Sequence, residues 1–239
     1  MLKKNDFVEL DFTGKIKDGA VFDTTIKGEA KKAGLEEEKC RPLKICIGQK
    51  MLVKGFDAAL EGKEAGKGYS IELKPEDAFG RREPILVKTV PLKLFTEKEV
   101  MPQPGMLYSF DNILARIVSV SGGRVIVDFN NPLSGKNIVY DFTIKRKIED
   151  IREKTAVIAE LMLHLENPKI EVNGEKATMV LEHEMPEKLF GALKEKVNEL
   201  LNLELSLKVE GKKETGGKAE KKENKGAEEK SEKEKTVKK

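Results

Sequence analysis

The side chains that most often bind metals or carry redox chemistry are few in this 239-residue chain. His164 and His183 are 19 positions apart and have no neighbouring cysteine or histidine, so their spacing predicts no metal site. Cys40 and Cys46 are six positions apart, but Cys46 falls within a predicted strand. We therefore expect two reduced thiols of a cytosolic protein, and neither a metal nor a cofactor.

The most informative stretch is 42–80, where two predicted strands flank a short helix. Apolar residues alternate in 43–47 and again in 69–73, the period-2 pattern of half-buried strands. Between them, 54–60 has apolar residues at helical spacing. Pro75 ends the second strand because proline has no N–H to donate to the ladder. A loop with the sequence Asp-Ala-Phe-Gly follows.

A predicted hairpin precedes this stretch. Residues 8–17 form its first strand, and Lys-Asp-Gly at 17–19 predicts a tight turn. Residues 21–24 return as the second strand and contain the pair Phe22-Asp23. The polar segment 25–39 is predicted to be a loop with one helical piece, Gly28–Gly34.

The order of these motifs resembles the FKBP-type peptidyl-prolyl isomerases. The run Gly-Gln-Lys-Met-Leu-Val-Lys-Gly-Phe-Asp at 48–57 is similar to the segment that this family lays across its pocket floor, and Asp77–Gly80 is similar to the rim loop. The run Asn-Asn-Pro-Leu-Ser-Gly-Lys at 130–136 resembles the end of the insert-in-flap domain of SlyD-like members. The resemblance covers 6–148 and implies an α+β fold, with an antiparallel half-barrel sheet wrapped on a short helix.

The resemblance also implies an apolar pocket for a substrate proline. The residues that match its motif positions are Phe12, Phe22, Asp23, Leu43, Leu52, Val53, Phe56, Phe79 and Phe142, with Ala78 touching the substrate from the rim. Phe56 would form the floor, Asp23 would orient the substrate amide, and the Val53 N–H would bind a substrate carbonyl. Taken singly, a phenylalanine at strand spacing is also explained as a core residue.

Rotation about an Xaa–Pro bond faces a barrier of about 20 kcal/mol but breaks no bond, so it needs no nucleophile or metal. A twisted amide is less dipolar than a planar one, and a dry apolar site therefore favours the transition state over the ground state. We expect peptidyl-prolyl cis-trans isomerisation. The alternative is a holdase-type chaperone with weak or no isomerase activity, which Phe79 leaves open because it replaces the family's usual tyrosine.

A β-rich insert, 84–133, interrupts the predicted isomerase domain, which we assign to 1–83 and 134–152. Insertions are tolerated at loop tips such as this one. In SlyD-like proteins the corresponding insert captures unfolded chains. Apolar residues near prolines are the candidates for that binding: Leu92, Leu94, Phe95, Val100, Met101 and Met106, with Leu107 beside them. They would alternatively form the insert's own small core. Its predicted strands are 85–90, 106–110, 113–119 and 124–129, with a turn at 121–123.

Residues 153–210 are predicted to form a small α/β domain, and 211–239 a disordered charged tail. The expected elements are a helix in 155–165, a hairpin around Asn173-Gly174, a helix in 189–203 and a strand in 203–209. A domain of this size buries a marginal fraction of its surface, so we expect it to pair, for example as a homodimer. The whole chain resembles long archaeal FKBP proteins with a C-terminal extension.

Charge and hydropathy limit the partners. The net charge is +3, but the tail contains 11 Lys and 7 Glu, which leaves the body at −1. A near-neutral body argues against nucleic-acid or ribosome binding, which needs a concentrated basic face. The sequence has no run of 18 apolar residues and no signal peptide, so we expect a cytoplasmic location and no membrane contact. The expected partners are proline-containing unfolded or nascent polypeptides.

Overall fold

A computed structural model describes residues 1–209 of the chain. The predicted tail 211–239 lies outside the described residues. Helices and mostly antiparallel sheets are combined in the described part, which confirms the predicted α+β class.

The elements follow one another in three groups. The first group is β1 (Phe7–Ile16), β2 (Val21–Thr24), α1 (Lys27–Ala33), β3 (Leu43–Cys46), α2 (Lys54–Leu60) and β4 (Gly68–Leu73). The second is β5 (Val87–Pro91), α3 (Lys93–Thr96), β6 (Leu107–Phe110), β7 (Ile113–Ser121) and β8 (Arg124–Asp128). The chain then returns through β9 (Ile138–Ile148) to α4 (Ile151–Leu163), β10 (Lys169–Asn173), β11 (Lys176–Leu181), α5 (Glu187–Leu201) and β12 (Glu204–Val209).

The main sheet has the order β2-β1-β9-β4, with β3 also paired to β1, and all its pairs are antiparallel. β1 pairs with β9 along its whole length. Its other edge is divided, since Phe7–Leu10 pair with β3 and Thr13–Lys15 pair with β2. The sheet therefore bends around one helix, α2, whose Phe56 and Leu60 side chains are buried in its core.

Gly55 allows α2 to approach the rim loop closely. A Cβ atom at Gly55 would lie 2.7 Å from Leu73 Cδ2 and 2.9 Å from the Asp77 carbonyl oxygen, closer than real Cβ contacts come. Any larger residue would push the helix away from the loop that carries Phe79. The glycine thus sets the distance between two walls of the site described below.

The insert forms a separate four-stranded antiparallel sheet of order β5-β8-β7-β6. The short helix α3, which the sequence did not predict, covers one face of this sheet. The predicted start of the strand 85–90 was wrong, because Pro84–Leu86 forms a 3-10 turn and the strand begins at Val87. Pro91 is tolerated because β5 is an edge strand.

The C-terminal domain has a sheet of order β10-β11-β12 with α4 and α5 packed on one face. β10 and β11 form the predicted hairpin, and α5 crosses back so that β12 runs parallel to β11. Its core continues into the main domain through Phe7, Cys46 and Ile148. The self-association predicted for this domain stays a prediction.

The first helix of this domain begins four residues earlier than its pattern predicted. Asp150 is the N-cap, and its carboxylate accepts a 2.9 Å hydrogen bond from the Glu153 N–H. The sequence Asp-Ile-Arg-Glu has the capping-box pattern, and its Asp150 carboxylate gives the Glu153 N–H a partner that it would otherwise lack. The predicted domain boundary after 152 therefore lies inside α4.

An ion cluster holds α4 on the main sheet. The Arg146 guanidinium donates to Glu153 at 2.9 and 2.6 Å and contacts Glu9 at 2.6 Å, while Lys44 lies 2.8 Å from Glu153. The Arg146 hydrogen bonds, and then Lys44, lower the pKa of Glu153 from its ordinary 4.5 to about 2. A carboxylate with a depressed folded pKa stabilises above its ordinary pKa and loses that contribution as pH falls.

We expect Glu153→Gln to remove about 1–2 kcal/mol of stability at pH 7, a range reduced for partial solvent screening. This difference from the unsubstituted protein should shrink as pH falls from 4.5 toward 2. Thermal unfolding followed by circular dichroism across this range measures it. The control is Glu171→Gln, because Glu171 is an exposed residue on β10. A Glu153→Gln protein with unaltered stability at pH 7 would contradict the prediction.

Candidate active site

A hollow of about 370 Å³ opens between α2, the β1–β2 hairpin and the rim loop. Its lining residues are Phe12, Phe22, Asp23, Lys50, Met51, Leu52, Val53, Phe56, Phe79 and Tyr140. Seven of the nine residues predicted to form the pocket are in this set, and Leu43 and Phe142 are not. Their roles stay predictions, but the structure brings their side chains to one place.

Aromatic rings form the floor and the walls. Phe56, the floor, is stacked on Tyr140 with ring centroids 4.4 Å apart and an interplanar angle of 19°. Phe22 meets Tyr140 edge to face at 6.0 Å and Phe79 at 5.7 Å. Phe12 closes the inner side at 5.8 Å from Phe56. The rings hold one another in place, because each edge-to-face or stacked contact has a preferred geometry.

Gly14 makes room for two of these rings. A Cβ atom at Gly14 would lie 2.8 Å from Phe22 Cζ and 2.8 Å from Tyr140 Cε1. Both contacts are too short for real atoms, so a side chain here would push the rings into the hollow or out of it. The glycine in the opening hairpin is thus part of the construction of the site.

Phe142 does not line the hollow, and its predicted place there was wrong. Its buried ring lies behind the floor, 5.0 Å from Phe56 and 5.5 Å from Tyr69. Tyr140, two residues earlier on β9, takes the position at the hollow and was missed. The period-2 alternation of β9 was the available signal, since it places both side chains on the same face.

The loop between β3 and α2 is braced by a buried carboxylate. Asp57 Oδ1 accepts from the Gly48 N–H at 2.9 Å, and Oδ2 accepts from the Lys50 N–H at 3.2 Å. The chain then continues through a series of bends to Val53, whose backbone is extended and which is the N-cap of α2. The Val53 N–H donates to no other residue within the described part of the chain. It is therefore available to a ligand carbonyl at the edge of the hollow.

Asp23 supplies the charge at the mouth. Burial against the surrounding rings raises the pKa of its carboxyl above the ordinary 3.8, although a backbone hydrogen bond from Thr24 acts in the opposite direction. The residue still reaches solvent, so this shift is a local effect and adds little to the free energy of unfolding. Burial, and then the nearby Asp23 charge, raise the pKa of Tyr140 to about 12.

Two predicted contacts lie beside the hollow and not in it. Leu43 lines a neighbouring groove on the side of the C-terminal domain. Ala78 is partly buried and packs against the core next to Phe79. Both stay candidates for a substrate that extends beyond the proline ring.

Comparison with known proteins agrees with this geometry. Residues 1–91 match the family model of FKBP-type peptidyl-prolyl cis-trans isomerase, and residues 88–133 match the model described as FKBP26, IF domain. The short-type peptidyl-prolyl cis-trans isomerase of Methanocaldococcus jannaschii is 35% identical over 147 residues, which cover 61% of this chain and 92% of that protein. The chain belongs to the FKBP-type peptidyl-prolyl cis-trans isomerases.

Two bacterial relatives are also similar to this FKBP-type isomerase. The FKBP-type peptidyl-prolyl cis-trans isomerase SlyD of Aeromonas hydrophila is 32% identical over 151 residues, which cover 62% of this chain and 64% of that protein. SlyD of Vibrio cholerae is 29% identical over 143 residues, 58% of this chain and 65% of that protein. The chain thus spans slightly under two thirds of the length of these SlyD proteins.

The insert of this FKBP-type isomerase has its own core around Phe95. That side chain is fully buried, and Leu92 and Val100 pack against it, so the prediction that Phe95 contacts a client was wrong. The short helix α3 turns Phe95 toward the sheet. Leu94, Met101 and Met106 are exposed and stay candidates.

The opposite face of the insert sheet exposes apolar residues that the sequence analysis largely missed. They are Leu107, Leu114, Val118 and Ile126, which the strand register places on one face. A hollow of about 530 Å³ lies between part of this outer face and the returning linker, which includes Pro132 and Ser134. The Ser134 hydroxyl donates to the Phe79 carbonyl at 2.9 Å, so this linker touches the rim of the aromatic hollow.

Neither a metal site nor a membrane span is found in the described FKBP-type chain. Within residues 1–209, no three His, Cys, Asp or Glu side chains are grouped to hold a metal ion. In the same range, no helix is both long and apolar enough to cross a membrane. Cys40 and Cys46 are free thiols, and burial raises the pKa of Cys46 to about 12.

Proposed function

We propose that this isomerase acts on Xaa–Pro bonds of unfolded or nascent polypeptides, which its insert binds and presents to the aromatic hollow. The observation that carries the proposal is the hollow itself, with Phe56 stacked on Tyr140 as its floor and Phe22 and Phe79 as its walls. A proline ring is apolar and flat enough to lie on such a floor. The proposed location is the cytoplasm.

The hollow would accelerate rotation about the Xaa–Pro bond by excluding water from the amide. The planar amide is stabilised by conjugation and by hydration of its dipole, and the barrier is about 20 kcal/mol. Rings on the floor and walls remove water from the bound amide, which costs the dipolar planar form more than the twisted one. No proton or electron pair has to move to the protein.

Two polar groups would orient the bound chain. The free N–H of Val53 donates to a carbonyl of the substrate and fixes the proline over Phe56. The Asp23 carboxylate faces the same space and accepts a hydrogen bond from a backbone N–H of the substrate next to the proline, which orients the amide. Both groups act by orientation and electrostatics, and neither is consumed.

The outer face of the insert would hold the client. Four exposed apolar side chains on three neighbouring strands lie on the same face with Arg116 among them, whereas soluble proteins usually expose such side chains singly. The hollow beside the linker lets an unfolded segment lie close to the rim loop. Binding there raises the local concentration of client prolines near Phe56, which helps long substrates and not short peptides.

The test is the pH profile of peptide isomerisation for Asp23→Asn. We expect this change to lower kcat/KM about tenfold at neutral pH, since it removes one charged orienting group. The unsubstituted enzyme should lose activity in acid with a midpoint above 3.8, because the pKa of Asp23 is raised, and the variant should lack that step.

Asp18→Asn is the matched control. Asp18 lies in the turn of the same hairpin with a positive φ of 55°, which asparagine tolerates. It should leave the rate and its pH profile unchanged. Identical profiles for the Asp23→Asn enzyme and the unsubstituted one would refute the role of Asp23. Suppressed aggregation of a client without any faster isomerisation would instead support the holdase alternative.

A further inference from the structure

A groove of about 710 Å³ lies beside the aromatic hollow, on the side of the C-terminal domain. One side is formed by the main domain, including Leu43 on β3 and the loop residue Met51. The other side is formed by the end of α4, including Leu161 and His164. The FKBP and C-terminal domains therefore build this groove together.

The groove and the hollow are adjacent. Phe12, Asp23, Met51 and Leu52 line both of them. A polypeptide whose proline lies on Phe56 therefore reaches the groove by passing over Met51 and Leu52. This adjacency matters because one residue of extended chain spans at most about 3.3–3.6 Å, so the residues next to the proline must lie close beside it.

The chemistry of the groove suits a peptide segment. Half-buried apolar side chains come from both domains and form its floor: Leu43, Met51, Leu52, Leu161 and Leu165. The rim carries charges of both signs, with Lys39 and Arg41 on the main domain and Glu160 and Glu166 on the other. An apolar floor with a mixed polar rim is typical of sites that bind extended peptides with a preference for apolar side chains.

The wall contributed by α4 is fixed in place. Its Glu153 is held by Arg146 and Lys44, and its Val157 and Ile158 are fully buried in the shared core. The helix ends at His164 in the left-handed conformation, which leaves this side chain exposed at the edge of the groove. A fixed wall can select among side chains, since it cannot adapt to each of them.

We propose that this groove is a subsite for the client residues that flank the proline, so that the C-terminal domain takes part in substrate selection. The proposal rests on the proposed function of the aromatic hollow. Its occupant is the same polypeptide chain, with an apolar residue two or three positions from the proline on one flank. The C-terminal domain then contributes binding energy to each catalytic cycle.

The experiment compares kcat/KM for a four-residue Xaa–Pro peptide with kcat/KM for peptides extended by four residues containing leucine, on either side. Exchange NMR measures isomerisation without a helper protease. We expect one extended peptide to be preferred about tenfold by the unsubstituted full chain, the gain from partly burying one leucine. Leu161→Glu and His164→Trp should reduce that ratio to about 1.

Met162→Glu is the matched control, because Met162 is the next residue on the same helix and is exposed away from the groove. It should keep the preference. Leu161 is half-buried, so Leu161→Glu could disturb the packing of the domain. His164 is exposed, so His164→Trp tests the groove without that disturbance. A ratio that stays near ten in the His164→Trp protein, or that is 1 in the unsubstituted protein, overturns the subsite. Failure of the unsubstituted protein to turn over even the short peptide would overturn the proposed function itself.

Discussion

Phe56→Leu is expected to lower kcat/KM for a short proline peptide about thirtyfold or more, because it removes the ring on which the proline lies. Leucine keeps the position apolar but cannot stack on Tyr140, whose ring centroid lies 4.4 Å from that of Phe56. The floor then loses its flat surface, and Tyr140 loses the contact that orients it. A peptide isomerisation assay at saturating and subsaturating substrate separates the effect on kcat from the effect on KM.

Phe142→Leu is the control for the stability of the core. Phe56 and Phe142 are 1% and 3% exposed and belong to the same cluster, so either change should cost about 1–2 kcal/mol of unfolding free energy. Only the Phe56 ring faces the hollow. The Phe142→Leu enzyme should therefore keep kcat/KM within about threefold of the unsubstituted value. Equal losses in the two variants would mean that activity follows core packing and that the floor has no specific role.

The residues of the hollow could be predicted where short elements fix their position. The hairpin turn at 17–19 sets the separation of Phe12 and Phe22, and the short helix after Val53 places Phe56 one turn later. These distances depend on local geometry, which sequence motifs encode. The match of motif order then located the site without knowledge of the tertiary structure.

The choice between Tyr140 and Phe142 could not be made in the same way. Both side chains point to the inner face of β9, so periodicity assigns them equally. What decides is how far along β9 the helix α2 crosses, and this depends on the register of β9 with β1 and on the bulge at Glu9 and Leu10. That register is a property of the tertiary structure. Because tyrosine and phenylalanine are equally suited to the position at the hollow, residue type does not distinguish Tyr140 from Phe142.

The client-binding face of the insert could not be predicted, for a related reason. Its strands have apolar residues on both faces, such as Leu114 and Ala115 or Ile126 and Val127, so alternation alone does not tell which face a helix covers. The four-residue helix α3 is too short to give a periodic signal, yet it buries Phe95 and determines the covered face. The binding face could therefore be located only after the packing of that helix was known.

Removing 85–133 is expected to slow catalysis of a proline-limited refolding reaction by about a hundredfold while changing short-peptide turnover by about threefold at most. A short peptide needs only the hollow, whereas a folding client must first be held near it. The same selective loss, though smaller, should follow from Leu114→Ser, Val118→Ser and Ile126→Ser combined in the intact insert. These three side chains are 38% to 56% exposed on the outer face, so their removal spares the Phe95 core.

A matched triple variant separates client binding from a general loss of surface hydrophobicity. Ile26→Ser, Met162→Ser and Leu189→Ser remove three apolar side chains that are 38% to 51% exposed and lie outside the insert. This variant should refold the client at the unsubstituted rate, because none of its changes touches the insert or the hollow. If both triple variants slow refolding equally, the outer face of the insert does not bind the client specifically. If only the outer-face variant does, the polypeptide is held on β6–β8 before its proline reaches Phe56, and the linker whose Ser134 hydroxyl donates to the Phe79 carbonyl connects the two sites.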